Sequence, residues 1–205
     1  AHEIRNPIAA MRLKAENAVA AGPDLARKDR ALQAIVEQIE RLEALLQKLL
    51  TSAQRAAPLP IPVADIRAFL EERADLFREQ AAAHGVALEV SGCGGGGVFD
   101  RRRIVQAIEN LILNAIQNTP PGGRVTLSAE RSADRLALAV ADSGRGVPES
   151  VRDHLFEPFV TGRSEGTGLG LAVVREIAEA HGGTARAIHR SDGTTFVVEL
   201  PWRPS

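Results

Sequence analysis

Two glycine clusters frame a stretch of sequence whose composition suits the binding of a phosphorylated ligand. The first is Asp142-Ser143-Gly144-Arg145-Gly146, and the second carries glycine at every other position between Gly166 and Gly170. Alternating glycines let the backbone approach a ligand closely, so that its N–H groups can face anionic oxygens. The second cluster leads into an apolar-periodic segment, which predicts a helix N-terminus where a phosphate could bind. Glycine clusters by themselves are also typical of ordinary turns.

Two asparagines point to a metal ion near the same ligand. Asn110 and Asn114 lie four positions apart, which places both on one face of a predicted helix. Asparagine is disfavoured inside helices because its amide competes for backbone hydrogen bonds, so two of them on an apolar helix need partners. Carboxamide oxygens are hard ligands that suit Mg²⁺ or its bound waters. One helix cap and one solvated residue is the alternative interpretation.

Composition excludes several function classes. The formal net charge is −1, which argues against a nucleic-acid binder that relies on phosphate neutralisation. The single cysteine, Cys93, excludes an internal disulfide framework and suits a reducing compartment. No Cys/His spacing suggests a zinc site. No apolar run approaches membrane-spanning length, so we expect this stretch to be cytoplasmic and to make no membrane contact.

The N-terminal part of the chain predicts a helical hairpin. Residues 2–21 and about 24–54 carry apolar residues at helical steps of three and four, and Gly22-Pro23-Asp24 between them is a turn signal. Two such helices cannot bury their apolar stripe alone, so we expect a homodimer built on a four-helix bundle. The three prolines in residues 56–62 predict a linker. We therefore divide the chain into domains at residues 1–57 and 58–205.

The hairpin geometry also carries an expectation about the intact protein. If the turn lies near residue 23, leucines 45, 46, 49 and 50 extend past the end of the first helix. We therefore expect the first helix to continue upstream of Ala1 in the intact protein. A membrane anchor and a sensor domain are both open expectations for that protein.

The second domain mixes helical and strand patterns without a regular βαβ repeat. This favours an α+β sandwich, with helices on one face of a mixed sheet. The predicted helices cover about 65–84, 101–118 and 167–181, and the predicted strands cover 86–90, 98–99, 125–130, 136–140, 184–189 and 195–200.

The asparagine pair, the two glycine clusters and the intervening Phe156-Glu157-Pro158-Phe159 stand in an order that resembles the catalytic ATP-binding domain of sensor histidine kinases. This domain belongs to a wider family that includes gyrase and Hsp90. The resemblance implies that ATP and Mg²⁺ bind the second domain, with Asn114 as the metal ligand and Asn110 supporting the phosphates. It implies that Asp142 accepts a hydrogen bond from the adenine amino group, in a base pocket shaped by Gly144 and Gly146.

The same resemblance assigns the rest of the site. Residues 147–168 would form a mobile lid. Arg163 stands where many family members carry a basic residue near the γ-phosphate, although a solvated loop charge is an equal alternative. The residues that would line the triphosphate are Gly166, Thr167, Gly168, Leu169 and Gly170.

His2-Glu3-Ile4-Arg5-Asn6-Pro7 is similar to the phosphoacceptor box of these kinases. Neutral imidazole is a competent nucleophile, and Glu3 could orient it and accept its proton. The position of Asn6 is linked in the family to dephosphorylation of the partner. The resemblance covers essentially the whole chain. It implies autophosphorylation on His2 and transfer to an aspartate on a response-regulator receiver domain, and this form of the box resembles kinases that serve NtrC-like regulators.

Two other functions remain open. An ATPase of the gyrase and Hsp90 type would use ATP as a clamp switch; it places a carboxylate where Asn110 stands, and only the adjacent Glu109 keeps this alternative open. A dimeric scaffold could instead bind nucleotide without turnover. The intact asparagine pair and the intact second glycine cluster argue against that alternative.

The remaining histidines are expected to have structural or solvent-exposed positions. His181, before Gly182-Gly183, is predicted to end a helix, and His84, His154 and His189 are predicted to lie on the surface.

Overall fold

The computed structural model describes residues 11–19, 24–36, 39, 58–92, 94–161, 168–190 and 192–202. The chain divides into two compact units, Ala1–Arg55 and Ala56–Ser205. The domain boundary expected between residues 57 and 58 remains a prediction. Among the described helices, none has the length and apolar character needed to cross a bilayer.

The first unit is helical over residues 11–19 (α1) and 25–36 (α2). Asp24 precedes α2, and its Oδ1 accepts a hydrogen bond from the backbone N–H of Arg27 at 2.9 Å, as an N-cap residue does. Large apolar side chains remain exposed on both segments, including Val19 at 83% and Leu32 at 56%. The described part of this unit therefore carries an apolar surface that it does not bury itself. The predicted turn at Gly22-Pro23 lies outside the described residues.

The second unit is built on a five-stranded sheet with three long helices. The helices are α3 (Ile66–Ala83), α4 (Arg101–Asn118) and α5 (Gly170–Ala180). The sheet contains β2 (Ala87–Gly92), β4 (Arg124–Arg131), β5 (Arg135–Asp142), β6 (Thr184–Arg190) and β7 (Gly193–Pro201) in the order β2-β4-β5-β7-β6. The β2–β4 pair is parallel and the other pairs are antiparallel, which confirms the predicted mixed sheet.

The core lies between α4 and the sheet. The apolar residues of α4 recur at helical spacing, and Ile108, Leu111 and Ile112 are fully buried. On β4 and β5 alternate residues are buried, as expected for strands with one face on a core. Helix α4 begins where Asp100 Oδ1 accepts hydrogen bonds from the backbone N–H groups of Arg102 and Arg103. The bounds of α4 are those predicted from the sequence.

One predicted element needs correction. The predicted linker 56–62 overlaps a strand, β1 (Ile61–Val63), which pairs antiparallel with β3 (Gly97–Phe99). Proline is tolerated in such a two-stranded edge pair because each strand has a side free of ladder partners, so the prolines concealed the strand. A 3₁₀ helix over Glu149–His154 was also not predicted.

Candidate functional site

A cavity of about 320 Å³ opens between α4, the carboxyl end of β5, the start of β7 and the start of α5. Six of the predicted site residues line it: Asn110, Asn114, Asp142, Gly146, Gly168 and Gly170. Gly144 and Leu169 are their chain neighbours and are described below. The other predicted site residues, His2, Glu3, Asn6, Arg163, Gly166 and Thr167, lie outside the described residues. Residues far apart in the sequence thus share one concave surface.

Asp142 ends β5 at one end of the cavity. Its Oδ1 accepts a hydrogen bond from the backbone N–H of Gly144 at 2.9 Å, and the backbone N–H of Thr194 also donates to the carboxylate. Burial raises the pKa of Asp142 above its usual value of 3.8, and these two hydrogen bonds oppose the rise. The side chain is therefore a fixed acceptor that still has lone pairs for a ligand donor.

Gly144 brings the first glycine cluster against the end of α4. A Cβ atom at this position would lie 2.5 Å from the carbonyl oxygen of Asn118 and 2.7 Å from Asp142 Oδ1. No side chain fits there without moving the backbone. The glycine therefore allows the loop after β5 to pack directly on the last turn of the helix that carries the asparagine pair.

The two asparagines lie inside α4, whose caps are Asp100 and Thr119. The alternative that one of the pair caps the helix is therefore wrong. Asn110 Nδ2 donates to the carbonyl oxygen of Gly170 at 3.4 Å, a long hydrogen bond that joins α4 to the start of α5. Asn114 Oδ1 accepts from Asn118 Nδ2 at 3.0 Å. Both side chains are half-buried and border the cavity.

The donor set at this end of the cavity suits a magnesium ion that is carried by a phosphorylated ligand. Among the described residues, no group of three or more Asp, Glu, His or Cys side chains could hold a metal ion. Mg²⁺ in nucleotide sites keeps several waters and takes only one or two protein oxygens together with phosphate oxygens. An amide oxygen has two lone pairs, so Asn114 Oδ1 can serve both Asn118 and a cation.

The second glycine cluster is held by a backbone contact with the segment before it. Phe159 N–H donates to the carbonyl oxygen of Gly168 at 3.1 Å. Gly168 has φ +65°, and a Cβ there would lie 2.4 Å from the carbonyl carbon of Phe159. Phe159 itself has φ +66°, alone among the described non-glycine residues in being positive. Leu169 follows and precedes the first residue of α5.

Sequence reasoning missed Thr194 and the apolar wall of the cavity. Thr194 is 2% exposed, lines the cavity and pairs with Asp142 across β5 and β7. Its Oγ1 is buried without a hydrogen-bond partner among the described residues. The apolar lining includes Leu113, Val147, Val151, Leu155, Leu171 and Phe196. The sequence offered one signal for Thr194, a polar residue at the start of an apolar strand. Only the register of β5 and β7 places this residue beside Asp142.

Glu109 faces away from the cavity. Its Oε1 forms an ion pair with Arg73 Nη1 on α3 at 3.2 Å, and Glu109 is absent from the cavity lining. The carboxylate that kept the gyrase-type ATPase alternative open is therefore engaged elsewhere and is not positioned to activate a water inside the cavity.

The four described histidines differ in their surroundings. His181 ends α5 as predicted: its Nδ1 lies 2.7 Å from the carbonyl oxygen of Ile177, and its Nε2 accepts from the backbone N–H of Asp100. His84 and His154 are exposed, as predicted. His189 is less exposed than predicted, because this residue is half-buried and its Nδ1 is fully buried. Burial, and secondly the charge of Arg152, lower the pKa of His189.

Comparison with known proteins matches both units. Residues 99–204 match the family described as "Histidine kinase-, DNA gyrase B-, and HSP90-like ATPase", and residues 1–58 match the "His Kinase A (phospho-acceptor) domain". The sensor protein DivL of Caulobacter vibrioides is 42% identical over 69% of this chain. The sensor histidine kinase ZraS of Escherichia coli is 31% identical over 98% of it.

Solved structures agree with these matches. The histidine kinase ThkA, in complex with the response regulator protein TrrA, has a TM-score of 0.67 at 26% identity, covering 99% of this chain and 60% of that chain. The chain spans only part of its relatives' length, 18% of DivL and 44% of ZraS. Since both family models match and ZraS is similar over 98% of the chain, the chain belongs to the sensor histidine kinases of two-component systems, within the histidine kinase, gyrase B and HSP90-like ATPase family.

Proposed function

We propose that this chain binds Mg²⁺-ATP in the cavity, phosphorylates itself on His2, and passes the phosphoryl group to an aspartate on the receiver domain of a response regulator. The observation that carries the nucleotide site is the shared cavity: a half-buried carboxylate stands at one end, two helix-borne amides stand at the other, and apolar side chains line the space between. This arrangement suits a ligand with a flat apolar base and a charged tail.

At the base end, Asp142 accepts a hydrogen bond from the adenine amino group, and Gly144 and Gly146 leave room for the base. The apolar wall, which includes Leu155 and Phe196, covers the faces of the ring. Because the carboxylate is already oriented by two backbone N–H groups, it loses little freedom when the ligand arrives. The hydroxyl of Thr194 lies beside it in the same cross-strand pair.

At the phosphate end, Asn110 supports the phosphates, and Asn114 Oδ1 holds the metal. Mg²⁺ would neutralise charge on the transferring phosphoryl group. The backbone of Gly166, Thr167, Gly168, Leu169 and Gly170 lines the triphosphate. Helix α5 begins at Gly170, so its positive end faces the same region. Arg163 supplies a further positive charge near the γ-phosphate.

The transfer step involves the first unit. A ring-nitrogen lone pair of His2 attacks the γ-phosphorus, the bond from that phosphorus to the bridging oxygen breaks, and ADP leaves with the bond's electrons. Glu3 orients the ring and accepts its proton. The P–N bond then breaks as the regulator's aspartate takes the phosphoryl group. Asn6 serves the opposing reaction, in which water hydrolyses the regulator's aspartyl phosphate to aspartate and inorganic phosphate. We propose that this regulator is of the NtrC-like class.

The partners follow from the two units. A homodimer would bury the apolar surface that α1 and α2 leave exposed, as two hairpins do in a four-helix bundle. The solved complex of ThkA with TrrA supports a receiver domain as the second partner. We place the reaction in the cytoplasm, where ATP is available.

Incubation with γ-labelled ATP distinguishes the three functions considered above. We expect labelled protein whose label is acid-labile and alkali-stable, as expected of a phosphohistidine. Released phosphate without labelled protein would favour the gyrase-type ATPase, and neither product would favour the nucleotide-binding scaffold. The control is His2→Gln, which should abolish labelling and leave ATP affinity near wild type, because the cavity lies entirely in the second unit.

A further inference from the structure

A row of three polar side chains crosses the sheet at the base end of the cavity. Asp142 on β5 pairs with Thr194 on β7, and Thr194 pairs with His189 on β6. Directly paired residues of antiparallel strands point to the same face of a sheet. The next row on that face is apolar: Val140, Phe196 and Ala187. The polar row is therefore confined to the end of the sheet where the base is proposed to bind.

Two atoms of this row are buried without hydrogen-bond partners among the described residues. They are Thr194 Oγ1 and His189 Nδ1. Buried side-chain polar atoms in proteins are nearly always hydrogen-bonded. Here both atoms without a partner belong to the same cross-strand pair. Cβ atoms of such pairs lie about 4.5–5.5 Å apart, which is close enough for a side-chain rotation or one bridging water to join the two polar atoms.

The direction of that hydrogen bond decides what Thr194 offers to a ligand. A hydroxyl is both donor and acceptor. If His189 Nδ1–H donates to Oγ1, the hydroxyl hydrogen is free to point elsewhere. Next to the amino group that Asp142 binds, adenine carries N1, which is an acceptor. Guanine carries an N–H donor at N1 and a carbonyl oxygen at the neighbouring position, so it matches neither group.

We propose that His189 is a positioning residue for nucleobase selection: its Nδ1–H donates to Thr194 Oγ1, directly or through one water, and thereby directs the Thr194 hydroxyl hydrogen toward adenine N1. The inference rests on the proposed function and extends it to a residue on the far side of Thr194. His189 does not line the cavity itself. Burial, and secondly the charge of Arg152, lower the pKa of His189 and so disfavour a second proton on the ring. The Nε of Arg152 donates to the carbonyl oxygen of Val147 at 3.0 Å.

Calorimetric titration with two ligands tests the proposal. One is ATP, and the other is 1-deaza-ATP, in which carbon replaces the N1 acceptor. We expect the wild type to prefer ATP by about threefold to tenfold, the effect of one hydrogen bond. His189→Leu should lose that preference by weakening ATP binding and leaving 1-deaza-ATP binding unchanged. His189→Asn, which keeps an N–H near the Nδ1 position, should restore the preference.

A double-mutant cycle shows whether His189 acts through Thr194. In a Thr194→Val background, His189→Leu should cause no further loss of ATP affinity, because the hydroxyl that it orients is gone. Thr195→Val is the matched control: Thr195 is the next residue of β7 and points to the opposite face, so ATP affinity should stay at the wild-type value. Thermal unfolding of each variant identifies any that is not folded.

The outcomes separate this inference from the proposed function. Equal weakening of both ligands by His189→Leu, additive losses in the cycle, or failure of His189→Asn to restore the preference would overturn the role of His189 while leaving ATP binding intact. Failure of the wild-type protein to bind ATP at all would overturn the proposed function, and this inference with it.

Discussion

The carboxyl group of Asp142 is partly buried at one end of the cavity, and this burial has a cost to the stability of the fold. Burial raises the pKa of its carboxyl group, which means that the folded protein disfavours the charged form relative to the unfolded chain. The stabilising contribution of Asp142 to the free energy of unfolding is fully present below the pKa of this residue in the unfolded chain. It is lost as pH rises through the higher pKa of the folded protein. At neutral pH the ionised carboxylate therefore lowers the stability of the folded protein, a cost that the proposed role of Asp142 as a charged acceptor for the ligand would explain.

Asp142→Asn should separate these two effects. We expect ATP affinity to fall by about one to two orders of magnitude, since a hydrogen bond to a charged group is replaced by an amide. The melting temperature of the nucleotide-free variant at pH 7 should rise, because the partly buried charge is gone. The gain should shrink as pH is lowered below the folded pKa of Asp142, where the wild-type carboxyl is also neutral. Calorimetry and thermal unfolding across pH measure both effects; a variant that is less stable at pH 7 would contradict this account.

Asn114 is the residue on which the metal assignment depends. Asn114→Ala should abolish the Mg²⁺ dependence of ATP affinity, because it removes the proposed protein oxygen while leaving the base end of the cavity intact. Gln106→Ala is a suitable control, since Gln106 lies on the same helix and is exposed. Titrations with and without Mg²⁺ provide the comparison. An Asn114→Ala protein with wild-type Mg²⁺ dependence would place the metal elsewhere.

At the scale of elements, a backbone contact within the predicted lid joins Phe159 to Gly168, the last residue of the lid. Gly168→Ala adds two penalties: a left-handed conformation, worth about 1–2 kcal/mol for a non-glycine residue, and a clash with the Phe159 backbone. Gly122→Ala isolates the first penalty, because Gly122 has φ +83° and a Cβ added there would meet nothing within 4 Å. We expect only Gly168→Ala to weaken ATP binding and slow autophosphorylation. Equal effects of the two substitutions on ATP binding would show that the contact does not matter.

Elements with strong local signals were predictable, and those defined by distant partners were not. Helix α4 has an N-cap, an apolar periodicity and prolines after its end, all within one stretch of sequence. Strand β1 is defined by its pairing with β3, which is distant in the sequence. The proline within β1 also argues against a strand when only the sequence is considered. The same holds within the site. Asp142 and the asparagines lie in recognisable sequence motifs. Thr194 and His189 are placed in one row with Asp142 only by the register of β5, β7 and β6.

At the scale of the whole molecule, the exposed apolar side chains of α1 and α2 are the surface that a second copy would cover. Leu32→Glu should therefore shift the protein from dimer to monomer in sedimentation experiments, since a charge would be buried in an apolar interface. ATP affinity should not change, because the nucleotide cavity lies in the other unit. Gln33→Glu adds the same charge at the next exposed position of α2 and serves as the control. A Leu32→Glu dimer as tight as wild type would place the interface elsewhere.

Helix α4 contacts both ends of the cavity: Gly144 packs on the carbonyl oxygen of Asn118, and the amide of Asn118 binds Asn114. One helix therefore sets the distance between the proposed base-binding end and the proposed phosphate-binding end of the cavity. In the proposed binding mode, ADP would keep every contact that ATP makes at the base end of the cavity. ADP should then compete with ATP for the free enzyme, which a displacement titration can measure. The rate of self-phosphorylation would follow the ratio of ATP to ADP, and the kinase would respond to the energy state of the cell as well as to its signal.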